Sequence, residues 1–97
     1  MQKTRVFPMI SVRRVVLDVL KPHQPNALEF SKAIAVVGSG YRVCLTVVEM
    51  DEKTETLQLE IEGDSVDMDA IESAISSMGA SLHSIDQVEV LNQPKDG

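Results

Sequence analysis

Read by its hydrophobic periodicity, the chain runs strand, helix, strand, strand, helix, strand. That order constrains the fold more than any single residue does. Each helix must carry the chain across between strands, and only the middle pair of strands is joined by a turn short enough for a hairpin. The two strand–helix–strand halves form a weak internal repeat. Right-handed crossovers then place both helices on one face of an antiparallel four-stranded sheet. The expected architecture is α+β, a ferredoxin-like βαββαβ sandwich with strand order 4-1-3-2. This architecture carries many unrelated activities, so it leaves chemistry open.

Local signals support each element. Val12 to Leu20 reads as a central strand, apolar on both faces apart from Asp18 and the arginines. Pro22 and Pro25 stop it. Asn26, with Glu29 three residues on, has the arrangement of a helix cap, and Ala27, Phe30, Ile34 and Val37 form one stripe. Tyr41 to Met50 and Glu55 to Glu62 alternate as strands around the polar turn Asp51-Glu52-Lys53-Thr54. Asp67 caps a second helix whose stripe is Ile71, Ala74, Ile75 and Met78, and Gly79 ends it. In the last strand, Ser81 to Leu91, residues Leu82, Ile85 and Val88 cannot share one face without a β-bulge near Ser84-Ile85-Asp86. One domain over 11–91 is expected, with a loosely packed lead-in over 1–10 and a frayed tail over 92–97.

Composition excludes several functions. With no Trp, one Tyr and two Phe, the core must be aliphatic. A single cysteine, Cys44, rules out an internal disulfide, a multi-cysteine metal site and the paired thiols of a copper chaperone. No long apolar run suits a membrane span, and Met1 to Met9 lacks the apolar block of a signal peptide, so cytoplasmic location is the default. The net charge is −6, and ten of the fifteen acids fall between Glu49 and Glu72, opposed only by Lys53. Such a distribution disfavours nucleic acid, and the sheet lacks the stacking aromatics of RNA-recognition surfaces. It favours cations, basic partners, or the basic N-terminal part of a neighbouring subunit.

The run Val12-Arg13-Arg14-Val15-Val16-Leu17-Asp18-Val19-Leu20-Lys21-Pro22-His23 resembles the opening of a small, mainly archaeal family of uncharacterised proteins, domain of unknown function 211. Met78-Gly79-Ala80-Ser81-Leu82-His83-Ser84-Ile85-Asp86-Gln87-Val88 resembles its closing motif, and Val48 to Glu55 also fits. The likeness covers roughly Ser11 to Val90. It implies a ferredoxin-like fold and self-assembly. It implies no activity, so no catalytic residue is carried over. The lead-in is longer than is usual in the family.

Four constellations could carry chemistry. Asp18, Glu60 and His83 are expected on the uncovered sheet face, where two carboxylates and an imidazole would suit a divalent cation of the Ca/Mg type if the registers agree. A hydrogen-bonded network at a subunit contact is the plainer reading. Arg14, Val16, Cys44, Thr46 and Val48 are expected on the same face as interface residues. His23, in the loop after the first strand, could titrate or donate to an anion; an exposed histidine on a rigid turn is the plainer reading. Ser84 and Asp86 beside His83 lack the geometry of a triad. The acidic stretch 51–69 lacks EF-hand spacing and reads as a solvated face with at most weak cation binding. The acylphosphatases, which share the expected fold, carry a phosphate-gripping arginine loop after strand one that is absent here, and no nucleophile, base and oxyanion donors assemble. The expected function is a non-enzymatic homo-oligomeric binding or regulatory module, assembled through its open face or edges, and as a ring if the rotation between subunits closes. Divalent-cation or small-ligand binding is the alternative, with Asp18, Glu60, His83 or the acidic stretch as the metal site.

Overall fold

The computed structural model describes residues 6–96. Its elements are β1 (Val6–Pro22), α1 (Ala27–Ala35), β2 (Arg42–Met50), β3 (Thr54–Glu62), α2 (Met68–Ser77) and β4 (Ser81–Asp96). The four strands form one antiparallel sheet in the order β2-β3-β1-β4, with β2 and β4 at its edges. Both helices cover the same face, because Phe30 and Ile34 of α1 and Ile71 and Ile75 of α2 are buried in one core with Val15, Leu17 and Val19 of β1 and Leu57, Leu59 and Ile61 of β3.

The caps explain where the helices start. The Asn26 side-chain oxygen accepts from the Glu29 amide at 2.9 Å, and that of Asp67 accepts from the Ala70 amide at 3.1 Å. Gly79, at φ 80°, turns the chain from α2 into β4. Tyr41 joins the two loops at the opposite end of the sheet from the hairpin. Its hydroxyl accepts from the Asp67 amide at 2.7 Å, and its ring lies where a side chain on Gly38 would sit.

The registers arrange the sheet in rows. At one level Arg42, Glu62, Arg14 and Glu89 stand side by side across β2, β3, β1 and β4. The next level holds Val43, Ile61, Val15 and Val88. Two further aliphatic levels follow, Leu45-Leu59-Leu17-Ile85 and Val47-Leu57-Val19-Leu82. Of the three shifts in the ladder between β1 and β4, one leaves Arg13 extra on β1, and the other two, which bring β4 into these rows, leave His83 and Asp86 extra on β4. The expected irregularity is therefore two bulges, and they bring Leu82, Ile85 and Val88 to the core side.

The sequence boundaries of the domain are too short. Residues 1–5 and 97 lie outside the described residues, but 6–10 continue β1 and 92–96 continue β4, paired to each other instead of loose or frayed. β3 flanks β1 only from Arg14 onward, so the extension is a two-stranded ribbon. Alternation is hard to read there because Pro8 and Pro94 interrupt it, and a proline is tolerated on a ribbon that lacks further neighbours. The molecule is correspondingly long, 67 × 22 × 18 Å. Helix α1 also ends at Ala35, before Val37, which packs on the core from the following turn.

Candidate functional site

The uncovered face of the sheet is more polar than the alternation suggests. Arg14 is its centre. The guanidinium pairs with Glu60 and Glu62 and donates to the Gln87 side-chain oxygen. Val16, flanked in register by Glu60 and Gln87, is already 8% exposed in the single chain. Cys44 and Thr46 lie on this face and are exposed, opposite Glu60 and Gln58. Val48 differs from expectation: the ladder between β2 and β3 shifts at this residue, and Val48 is the extra, exposed residue of a bulge.

The expected cation trio is divided. His83 Nδ1 lies 3.5 Å from Asp18 Oδ2, so these two do meet. Glu60 does not join them, because Arg14 holds it one level away. A carboxylate of β3 prefers the guanidinium beside it to a second carboxylate. Among the described residues no group of three or more His, Cys, Asp or Glu side chains could hold a metal ion. Ser84 Oγ donates to Asp86 at 2.7 Å, a local contact and not part of a triad.

The most highly organised polar group lies at the other end of β1. Lys21 stands on the core side of the sheet, directly opposite Glu55 of β3, and its side chain is fully buried. Its ammonium donates to the carbonyls of Pro22 at 2.8 Å and Pro25 at 2.6 Å and lies 3.1 Å from Glu55 Oε1. The other Glu55 oxygen accepts from His23 Nδ1 at 3.0 Å. His23 Nε2 faces the carbonyls of Asp51 and Glu52, each at 3.0 Å. The three side chains thus bind the β1–α1 loop to the β2–β3 turn. Both imidazole nitrogens face acceptors, which suits the doubly protonated cation.

The titration follows from this geometry. The hydrogen bond to Glu55 and the carbonyls of Glu52 and Asp51 raise the His23 pKa above 6.5 against a smaller opposing effect of desolvation. The His23 hydrogen bond holds the Glu55 carboxyl below 4.5, aided by Lys21 and opposed by burial. His23 is therefore engaged within the chain and is not a free donor for an external anion. The sequence reading missed Lys21 altogether, since a lysine beside two prolines reads as a surface turn; the usable signal was Glu55 facing it across the ladder.

Two outcomes are expected. Lys21→Ala removes the buried cation from Glu55 and the donor from the carbonyls of Pro22 and Pro25, and should lower unfolding free energy by about 3–5 kcal/mol in urea titration, with Glu55→Leu in the same chain recovering part of the loss. The raised His23 pKa means that its stabilisation is complete below the unfolded value and disappears as pH rises through the folded value. The stability gap between the native chain and His23→Gln should therefore be largest near pH 5 and close toward pH 9, whereas the contribution of Glu55 is lost only on acidification; a gap that widens with pH would contradict this.

Among the described residues no helix is long and apolar enough to cross a membrane. Sequence comparison adds relatives but no activity. An uncharacterised protein of Methanocaldococcus jannaschii is 40% identical over 80 residues, 82% of each chain. A second uncharacterised protein, of Archaeoglobus fulgidus, is 34% identical over 79 residues, which is 77% of this chain and 47% of that protein. The model of the family DUF211, described as uncharacterized ArCR, matches residues 13–93. That span takes in both helices, β2 and β3 whole and the greater part of β1 and β4, and the chain belongs to the DUF211 family.

Proposed function

We propose that the protein is a non-enzymatic, homo-oligomeric binding or regulatory module whose subunits join through the edges of the sheet. The observation that carries this reading is the placement of exposed aliphatic side chains. Among the described residues, seven of the eleven exposed large hydrophobic side chains lie on the two edge strands: Val47, Val48 and Met50 on β2, and Ile85, Val88, Val90 and Leu91 on β4. An edge strand that is long, apolar and uncovered invites pairing with another chain. The centre of the uncovered face, where Arg14 pairs with Glu60 and Glu62, has its charges matched and offers less. Cytoplasmic location is part of the proposal, in keeping with a free thiol at exposed Cys44. Light scattering on a sizing column at micromolar concentration should give one defined oligomer; a clean monomer would overturn the reading.

Divalent-cation binding is a second reading, favoured by the contact between Asp18 and His83 beside the cleft floored by Leu20 and Thr56. Two ligands would need water or another subunit to complete a shell. Calorimetry with Ca²⁺, Mg²⁺, Mn²⁺ and Zn²⁺ should then give heat that Asp18→Asn abolishes, and silence at millimolar metal would end this reading.

A further inference from the structure

We propose that the β4 edge of one subunit pairs antiparallel with the β2 edge of the next, in the register that sets Glu89 beside the partner subunit's Arg42, so that one sheet runs on from copy to copy. This rests on the oligomeric reading above and specifies its contact.

The first argument is a repeated hexad. β1 carries Arg14-Val15-Val16-Leu17-Asp18-Val19, and β2 carries Arg42-Val43-Cys44-Leu45-Thr46-Val47. Both have the form Arg-Val-x-Leu-x-Val, and both take the same places on β3: Arg14 and Arg42 opposite Glu62, Val15 and Val43 opposite Ile61, Leu17 and Leu45 opposite Leu59, Val19 and Val47 opposite Leu57. β1 uses this hexad a second time, against β4, where Glu89, Val88, Ile85 and Leu82 receive it. β2 has the hexad and an unpaired outer edge. β4 has already accommodated the pattern, with His83 and Asp86 as extra residues that keep its aliphatic side chains in step.

The second argument is charge. The row Arg42, Glu62, Arg14, Glu89 alternates in sign across the four strands and ends on an acid at β4 and a base at β2. Among the described residues neither Arg42 nor Glu89 makes an ion pair, whereas the inner two members pair with each other. A copy placed with β2 against β4 continues the alternation, plus beside minus. The same placement sets Val43 beside the partner subunit's Val88 and Leu45 beside the partner subunit's Ile85, so that the half-buried β2 side chains cover Val88 and Ile85, which are about half exposed in the single chain.

The third is backbone phase. In an antiparallel ladder each residue alternates between hydrogen-bonded and non-bonded pairing, and a residue bonded on one side is non-bonded on the other. Passing along the row from β2 to β4 inverts the phase at each strand, so the outer edges at Arg42 and Glu89 present the same phase and can join. β1 and β2 run alike, and β4 runs opposite to both, which gives the antiparallel sense without turning a subunit over. The contact is heterologous, β4 to β2, and closes into a ring when the sheet twist allows.

The test is a double variant, Val43→Cys with Val88→Cys, in a Cys44→Ser background. Within one chain these positions sit three strand spacings apart, roughly 14 Å, too far for a disulfide. Mild oxidation should give a ladder of linked subunits, with peptides joined from 43 to 88 in mass spectra. An oligomer by light scattering that forms no 43–88 link would overturn this contact and leave the oligomeric reading standing, whereas a monomer would overturn both. If the cysteine variant does not fold, exposed charges decide: Arg42→Glu should shift the oligomer toward monomer, and Glu89→Arg in the same chain should restore it. Assembly unaffected by Arg42→Glu, or unrestored by the second change, would also overturn the proposal.

Discussion

The register of β3 between its two neighbours is the constraint on which the remaining structure depends. Glu62, Ile61, Leu59 and Leu57 each face one residue on β1 and one on β2, and the three strands carry matching side chains at every level. A slip of one residue would turn the aliphatic set of β3 to solvent and set Glu60 and Glu62 into the core. With this register in place, the core side presents a continuous floor for the two helical stripes, and Phe30, Ile34, Ile71 and Ile75 become fully buried on it. The same register puts Lys21 opposite Glu55 on the core side and Arg14 between two glutamates on the other. Hydrophobic fit and ion pairing thus select one alignment together, which is what makes a small aliphatic core specific.

The two ionic groups have different environments. Arg14 and its glutamates remain partly exposed, where solvent screens their attraction and long side chains lose entropy on pairing. Lys21 has no contact with solvent and depends on its acceptors. It satisfies carbonyls of a loop broken by two prolines, where regular secondary structure cannot supply donors. Glu55 then serves two partners, the buried Lys21 ammonium and the His23 imidazole at the surface, and His23 transmits the anchorage to the carbonyls of the hairpin turn.

Much of the fold is legible in the chain because its signals are local. Asn26 and Asp67 cap their helices, and the three-residue spacing of Leu82, Ile85 and Val88 requires bulges in β4. What is less legible depends on which strand lies next to which. Glu60 reads as a metal ligand until Arg14 is placed beside it, and Lys21 reads as a turn residue until Glu55 is placed across from it. Val48 follows the alternation in sequence but falls on a bulge that only the pairing with β3 reveals. The ends of β1 and β4 escape because prolines obscure the period, and because two segments far apart in sequence define each other as strands.

The ribbon beyond Val12 has a consequence for motion. β1 is one continuous strand, yet its pairing changes along its length: from Arg14 to Leu20 it pairs with both β3 and β4, and before that with β4 alone. Met9 and Ile10 are more than half exposed, whereas Val15, Leu17 and Val19 are not exposed at all. A two-stranded ribbon is marginally stable by itself. The free energy of local opening must therefore climb along this single strand, from little at Met9 to nearly that of global unfolding at Leu17, and amide exchange would record the strand as a gradient instead of a unit.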